Sequence, residues 1–171
     1  NLEEISYIYN LRNFNKTNSC SVEGKALFTK DKDILFKDEK LKDFDNFIKN
    51  CEIKTIYVDE MTITAHDYAL LGKKANKIKL NPVSMSKCIK TDAEIEHYKD
   101  AFSRTDKALA DTGKFIEEHD NISEYDIKQE LENNFKKYGA IGQSFTSIVA
   151  KDKNSALAHY SKSSKDEIVK N

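Results

Sequence analysis

Thr91-Asp92-Ala93-Glu94 opens the pattern that most constrains this chain, because a threonine hydroxyl and a glutamate three residues on satisfy backbone amides that a helix start leaves unpaired. Ile95, Tyr98, Phe102, Thr105, Leu109, Thr112 and Ile116 follow three and four apart, one unbroken stripe along a helix of about 27 residues. A stripe of that length needs cover. Thr105 and Thr112 would weaken a coiled-coil seam, so docking on a sheet is the expected solution. Ser123-x-x-Asp126 repeats the capping logic, and Ile127, Leu131 and Phe135 mark a second amphipathic helix ending at Gly139. His97 and His119 lie off the long stripe and are expected in solvent.

Beyond Gly139 the chain reads as two short strands, 144–149 and 156–160, joined by a polar turn over 151–154. His159 falls at the end of the second strand. By spacing alone it either faces a cleft or stands at a strand end with its ring half in water.

The region before Thr91 has a different grain. Leu2, Ile5, Ile8 and Tyr9 predict a short helix over 2–10. Runs 25–29 and 34–36, split by Lys30-Asp31-Lys32-Asp33, predict a hairpin. Leu41, Phe44, Phe47 and Ile48 give a helical stripe, and 54–59 a strand covered on both faces. A helix over 65–74, with Tyr68, Leu71 and Ala75 inward, and a strand 77–80 complete a small α/β layered domain. His66 and Asp67 are adjacent on that helix and diverge by about 100°, so they form no dyad. Arg12 is either a substrate-facing or interdomain cation or a satisfied arginine at the surface or core edge. Pro82, the single proline, predicts an extended linker, with a domain boundary near Ser84 to Ser86.

Composition narrows the function classes. Lys and Arg number 28 against 29 Asp and Glu, a net charge of -1, which gives no drive toward nucleic acid or an anionic membrane. The 171 residues, 39% hydrophobic, suffice for one good core or two small ones. Cys20, Cys51 and Cys88 are far apart without a CxxC or Cys/His pairing, so buried or half-buried free thiols of a reducing compartment are expected rather than a zinc site. No run of about 18 apolar residues and no signal pattern is present, which predicts a cytoplasmic protein. The acidic clusters Asp31/Asp33 and Glu117/Glu118/Asp120 lack calcium-loop spacing, and GxGxxG, the P-loop lysine and G-x-S-x-G are all missing. The chain starts without Met inside an expected helix and stops over 167–171 where another strand is expected to begin, so it is read as part of a longer polypeptide.

Three stretches carry a family resemblance. Ser144-Phe145-Thr146-Ser147-Ile148, then Asn154, then Ala158-His159-Tyr160, resembles the opening of the catalytic domain in the pita-bread metallopeptidases, above all the Xaa-Pro aminopeptidases (aminopeptidase P) of the creatinase family. Lys87-Cys88-Ile89-Lys90-Thr91-Asp92-Ala93-Glu94-Ile95-Glu96 is similar to the segment that leads into that domain, and Tyr9-Asn10-Leu11-Arg12 to the start of the preceding one. Two departures stand out: Thr146 replaces the family's usual proline, and Ala150, Lys151 and Asp152 replace its usual glycines.

The resemblance implies an α/β (α+β) architecture, with 1–84 a small creatinase-like domain and 85–171 the first part of a pita-bread catalytic domain. It implies a metallo-aminopeptidase that removes the residue preceding proline from a peptide by dimetal-activated water, with two divalent metal ions, manganese foremost, and a homodimer at full length. The family's ligands, two Asp, one His and two Glu, all follow the His-Tyr strand, so they are expected beyond Asn171 and none within this fragment, which by itself would be inactive. His159 is the one residue carried over, catalytic and substrate-binding: the matching histidine lies beside the dimetal centre and hydrogen-bonds the developing tetrahedral intermediate. Phe145 and Asn154 are assigned to shaping the loop. A pita-bread binding protein without activity, directed to peptide or histone, is the alternative from another class. Prolidase, creatinase and methionine aminopeptidase are the sibling enzymes.

Overall fold

The computed structural model describes residues 1–169 and divides into two compact units, one of residues 1–13 and 20–90, the other of residues 14–19 and 91–171. The first holds four helices and four strands. Helix α1 (Leu2–Ile8) is capped by Asn1 and precedes a hairpin of β1 (Gly24–Phe28) and β2 (Asp33–Lys37), paired antiparallel with Ala26 opposite Leu35. A 3-10 turn, Asp38–Asp43, leads into α2 (Phe44–Asn50). Strand β3 (Ile56–Asp59), α3 (Ala65–Leu71), a 3-10 turn (Gly72–Lys74) and β4 (Ala75–Ile78) follow, and α4 (Pro82–Cys88) closes the unit. β3 and β4 are parallel, so the chain must cross over between them, which α3 does.

Leu27, Phe36, Phe44, Ile48, Ile56 and Leu71 form the core of this unit, with Phe36 edge-on to Phe44 at 5.2 Å between centroids. Ile48 is 1% exposed at its centre. The expected helical stripe therefore packs as predicted, with Phe47 against its rim. Strand 54–59 behaves differently from expectation. Tyr57 is 67% exposed, because a sheet of two short strands has only one covered face. Tyr68, expected inward, is 41% exposed, and its ring instead receives Lys77 Nζ 4.5 Å from its centroid. The cysteines are free, but Cys20 and Cys88 are exposed and Cys51 is only half-buried.

The extended linker expected at Pro82 is a helix. Asn81 is extended, as a residue before proline should be, yet its side chain caps the amides of Val83 and Ser84 and Pro82 takes the first helical turn, where its missing N–H costs nothing. Asn81 Nδ2 also donates to Glu4 and to Asp59, 2.9 Å each, and Ser84 Oγ to Glu4 at 2.8 Å, which ties α4 to α1. The units part after Lys90, past the end of this helix. Replacing Asn81 with alanine removes a cap and two carboxylate contacts, and is expected to lower stability by about 1–2 kcal/mol in urea denaturation. An unchanged midpoint would show the cap to be idle.

The second unit is built on α5 (Asp92–Glu118) and α6 (Glu124–Lys137), whose starts carry the two predicted capping boxes. Gly139 ends α6 in the left-handed region, φ +88, where an added Cβ would lie 2.8 Å from Arg104 Nη1. The helices meet at Ala108, 0% exposed, and Thr112, whose hydroxyl receives Asn134 Nδ2 at 3.1 Å. Asp111 accepts from Lys137 Nζ and Tyr138 Oη at 2.7 Å each, and the lysine foremost holds its carboxyl below the usual range. The sheet expected over the α5 stripe is not found among the described residues. α6 has 14 residues against 27, so it covers only the C-terminal half, and Tyr98 and Phe102 are left exposed. Strands β5 (Ile122–Ser123) and β6 (Ile168–Val169) pair antiparallel at the foot of α6. β6 is the strand expected to begin over 167–171, of which Lys170 and Asn171 lie outside the described residues.

Candidate functional site

The N-terminus of α6 gathers the whole segment after Gly139. Ser123 Oγ accepts from the Asp126 amide at 3.1 Å and donates to Asp126 Oδ2 at 2.6 Å. The next residue, Glu124, is 0% exposed. Its Oε1 accepts from the Lys151 amide at 2.7 Å and Asn154 Nδ2 at 2.9 Å, and its Oε2 from Tyr160 Oη at 2.6 Å and the Ser164 amide at 3.0 Å. The backbone reinforces the junction, with Glu124 N–H on Glu167 O at 3.1 Å and Tyr125 N–H on Ser164 O at 3.2 Å.

A carboxylate with no solvent exposure is costly unless every lone pair is engaged. Here two donors meet each oxygen. Burial pushes the Glu124 carboxyl up, but hydrogen bonds from Asn154, Ser164, Tyr160 and Lys151 outweigh it and bring the group down to about 2. The partner phenol moves the opposite way: its bond to Glu124, then burial, push Tyr160 up to about 12. A negative charge in the first turn of α6 is also favoured by the helix dipole.

The two strands expected over 144–149 and 156–160 do not form. Residues 144–149 lie without a ladder, and 152–156 is a 3-10 turn, Asp152–Ala156. A strand exists only against a partner, and among the described residues none pairs with either run. Short-range bonds take their place: Asn154 N–H to Lys151 O, Leu157 N–H to Asn154 O and Tyr160 N–H to Leu157 O, at 2.9–3.1 Å. Thr146, where the resembled family has proline, accepts from Asn18 Nδ2 at 2.7 Å, a bond proline has no hydroxyl to make.

His159 stands in the turn closed by Tyr160 N–H on Leu157 O, and it is exposed. Asn154 shapes the loop as expected, through Glu124 and Tyr160 Oη. Phe145 is 65% exposed. Arg12 donates to the carbonyls of Ser6 and Leu11, at 3.0 and 2.8 Å, so it is a satisfied arginine. His66 bonds Asp45 at 2.9 Å and Asp67 pairs with Lys25, so the adjacent residues diverge as predicted. His97 and His119 are exposed, the latter with Nδ1 2.9 Å from Phe115 O. Among the described residues no group of three or more His, Cys, Asp or Glu is placed to hold a metal ion, and no helix is long and apolar enough to cross a membrane.

Sequence reasoning passed over Glu124 as filler within a capping box. A signal was present. Position 124 precedes Ile127 by three and Leu131 by seven, so an acidic residue stands on the buried stripe of α6.

The model of metallopeptidase family M24 matches residues 96–171, the helices and loop just described. An uncharacterized peptidase of Schizosaccharomyces pombe is 27% identical over 182 residues, covering 94% of this chain and 30% of the relative. One of Methanocaldococcus jannaschii is 26% identical over 122 residues, covering 70% of this chain and 33% of the relative. The chain thus spans about a third of the length of the curated relatives it matches. Among solved structures, an Xaa-Pro dipeptidase from Bacillus anthracis aligns with TM-score 0.73 and 23% identity over 99% of this chain and 51% of that one. An X-Pro aminopeptidase from Thermotoga maritima aligns with TM-score 0.52 and 27% identity over 74% of this chain and 36% of its own. The fold is a mixed α/β arrangement similar to that of the pita-bread M24 enzymes.

Proposed function

We propose that this chain is part of a metallopeptidase that removes the N-terminal residue from peptides with proline in second position. The observation that carries the reading is the M24 match over 96–171, the stretch that holds most of α5, all of α6 and the loop bearing His159. The Thermotoga maritima aminopeptidase, 27% identical over 74% of this chain, supports the specificity. On this reading the first unit, which ends at Lys90, is the preceding creatinase-like domain and the second is the opening of the catalytic one, the boundary expected after residue 84 falling inside α4. A reducing, cytoplasmic setting and a homodimer of the whole protein belong to the same proposal.

Two divalent ions, as the resembled family uses, would supply activation of the attacking water, and holding them would take several hard ligands within a few ångströms. Among the described residues no such group is placed to hold them. This chain's part in the reaction is binding and orientation. His159, exposed on a closed turn, is free to donate a hydrogen bond to the substrate oxygen on which charge builds.

The deciding experiment expresses the complete reading frame and offers it an Xaa-Pro-Yaa tripeptide and an Xaa-Pro dipeptide with manganese present. Release of the first residue from the tripeptide supports the proposal. Turnover of the dipeptide alone would assign a prolidase instead, and no turnover of either, with peptide still bound, a binding protein. For the 171-residue chain alone, titration with manganese is expected to show no tight stoichiometric site; a dinuclear site of high affinity would mean that ligands lie within it.

A further inference from the structure

We propose that Glu124 is the positioning residue for His159: its buried carboxylate closes the 151–164 loop at four points and so fixes the turn on which the imidazole stands. The inference rests on the reading of His159 as the substrate-facing group.

The loop itself has little to hold it. Between α6 and β6 its only regular element is the 3-10 turn Asp152–Ala156. The successive bonds Asn154 to Lys151, Leu157 to Asn154 and Tyr160 to Leu157 wind it with a three-residue period, so 151, 154, 157 and 160 repeat on one side. Three of those four positions supply donors to Glu124. Ser164 adds the fourth from the far end of the loop. His159 is one residue off that inward row, the third residue of the turn from Leu157 to Tyr160, and its ring is in solvent. Anchors thus stand on both sides of it, five residues before and one after.

The chemistry at position 124 is specific to a carboxylate. The four donors are two backbone amides, a carboxamide and a phenol, none of them a cation. Neighbouring charges are engaged elsewhere: Lys151 Nζ with Asp152, Lys153 Nζ with Glu167 at 3.8 Å, Lys165 Nζ over the Tyr125 ring, and Asp126 with Ser123. A glutamine of the same shape has one oxygen and one NH2 group. Tyr160 Oη can turn to accept from that NH2, but a backbone N–H cannot, so the substitution Glu124→Gln would leave the Ser164 or the Lys151 amide facing a donor. The benefit of clamping an exposed side chain is that its ordering cost is met in folding and not at substrate binding.

The test uses the whole 171-residue chain and needs no turnover. NMR of the four imidazoles, with His159 assigned by its loss in His159→Gln, is combined with amide hydrogen exchange in wild type, Glu124→Gln and Tyr160→Phe. In Glu124→Gln the Lys151 and Ser164 amides are expected to exchange at least about tenfold faster, and the His159 ring signals to move to the positions of an unstructured histidine, while the Ala108 and Thr112 amides keep their protection. Tyr160→Phe, which removes one donor of four, is expected to move the His159 signals part of the way in the same direction. His159 signals that stay at their wild-type positions while the loop amides lose protection would overturn the proposal, leaving Glu124 a structural residue. If Glu124→Gln also unprotects α5, Tyr160→Phe decides alone, and an unmoved His159 there overturns it equally. Full turnover by His159→Ala in the complete enzyme would remove the functional reading and leave this ordering untouched.

Discussion

His159→Ala in the complete protein is expected to lower kcat on an Xaa-Pro peptide about a hundredfold to a thousandfold, the usual loss when one donor to a developing oxyanion is removed, or about 2.7–4 kcal/mol. Metal content is expected to stay at its wild-type level, because an interaction made mainly in the transition state is lost while the ligands remain. The structure sharpens the control. His159 is exposed and in a surface turn, so its truncation is expected to change stability by no more than about 0.5 kcal/mol. A role in folding would do the reverse, lowering melting temperature and active fraction together with kcat per folded molecule intact. Measuring kcat, metal content and melting temperature on one purified variant separates the two, and full activity per folded, metal-loaded molecule would take His159 out of the site.

Acid is expected to loosen the second unit through Glu124. The folded carboxyl titrates at about 2, against 4.5 for a free glutamate, so the folded state binds this proton less readily than the unfolded chain. Its contribution is therefore complete above pH 4.5 and is lost as pH falls through about 2. At about 1.4 kcal/mol for each tenfold change in acidity, the contribution amounts to about 3 kcal/mol. Asp126, held below its usual range by the Ser123 hydroxyl, and Asp111 add to acid sensitivity in the same direction. Glu124→Gln isolates the one group: denaturant unfolding of wild type and variant should converge between pH 4.5 and pH 2. Parallel curves across that window would show the carboxylate to be energetically idle.

Much of the second unit was legible in the sequence. Capping is local chemistry, a hydroxyl and a carboxylate three residues apart, so Thr91 with Glu94 and Ser123 with Asp126 located both helix starts. Periodicity is local as well, and it placed the helix that ends at Glu118 and the α2 stripe with Ile48 at its centre. Pro82 shows the limit of such reading. The backbone restriction before it was right, but whether an extended residue begins a linker or caps a helix depends on Asn81 finding Glu4 and Asp59, far away in the chain. Strand expectation failed over 144–160 for a similar reason, since alternation prepares a segment for pairing and only a neighbouring edge completes it. His159 could be named from a motif, yet its surroundings could not. What orders the loop is Glu124, between 27 and 40 residues away along the chain, and a buried charge is decided by where its four donors converge, which only the tertiary structure determines.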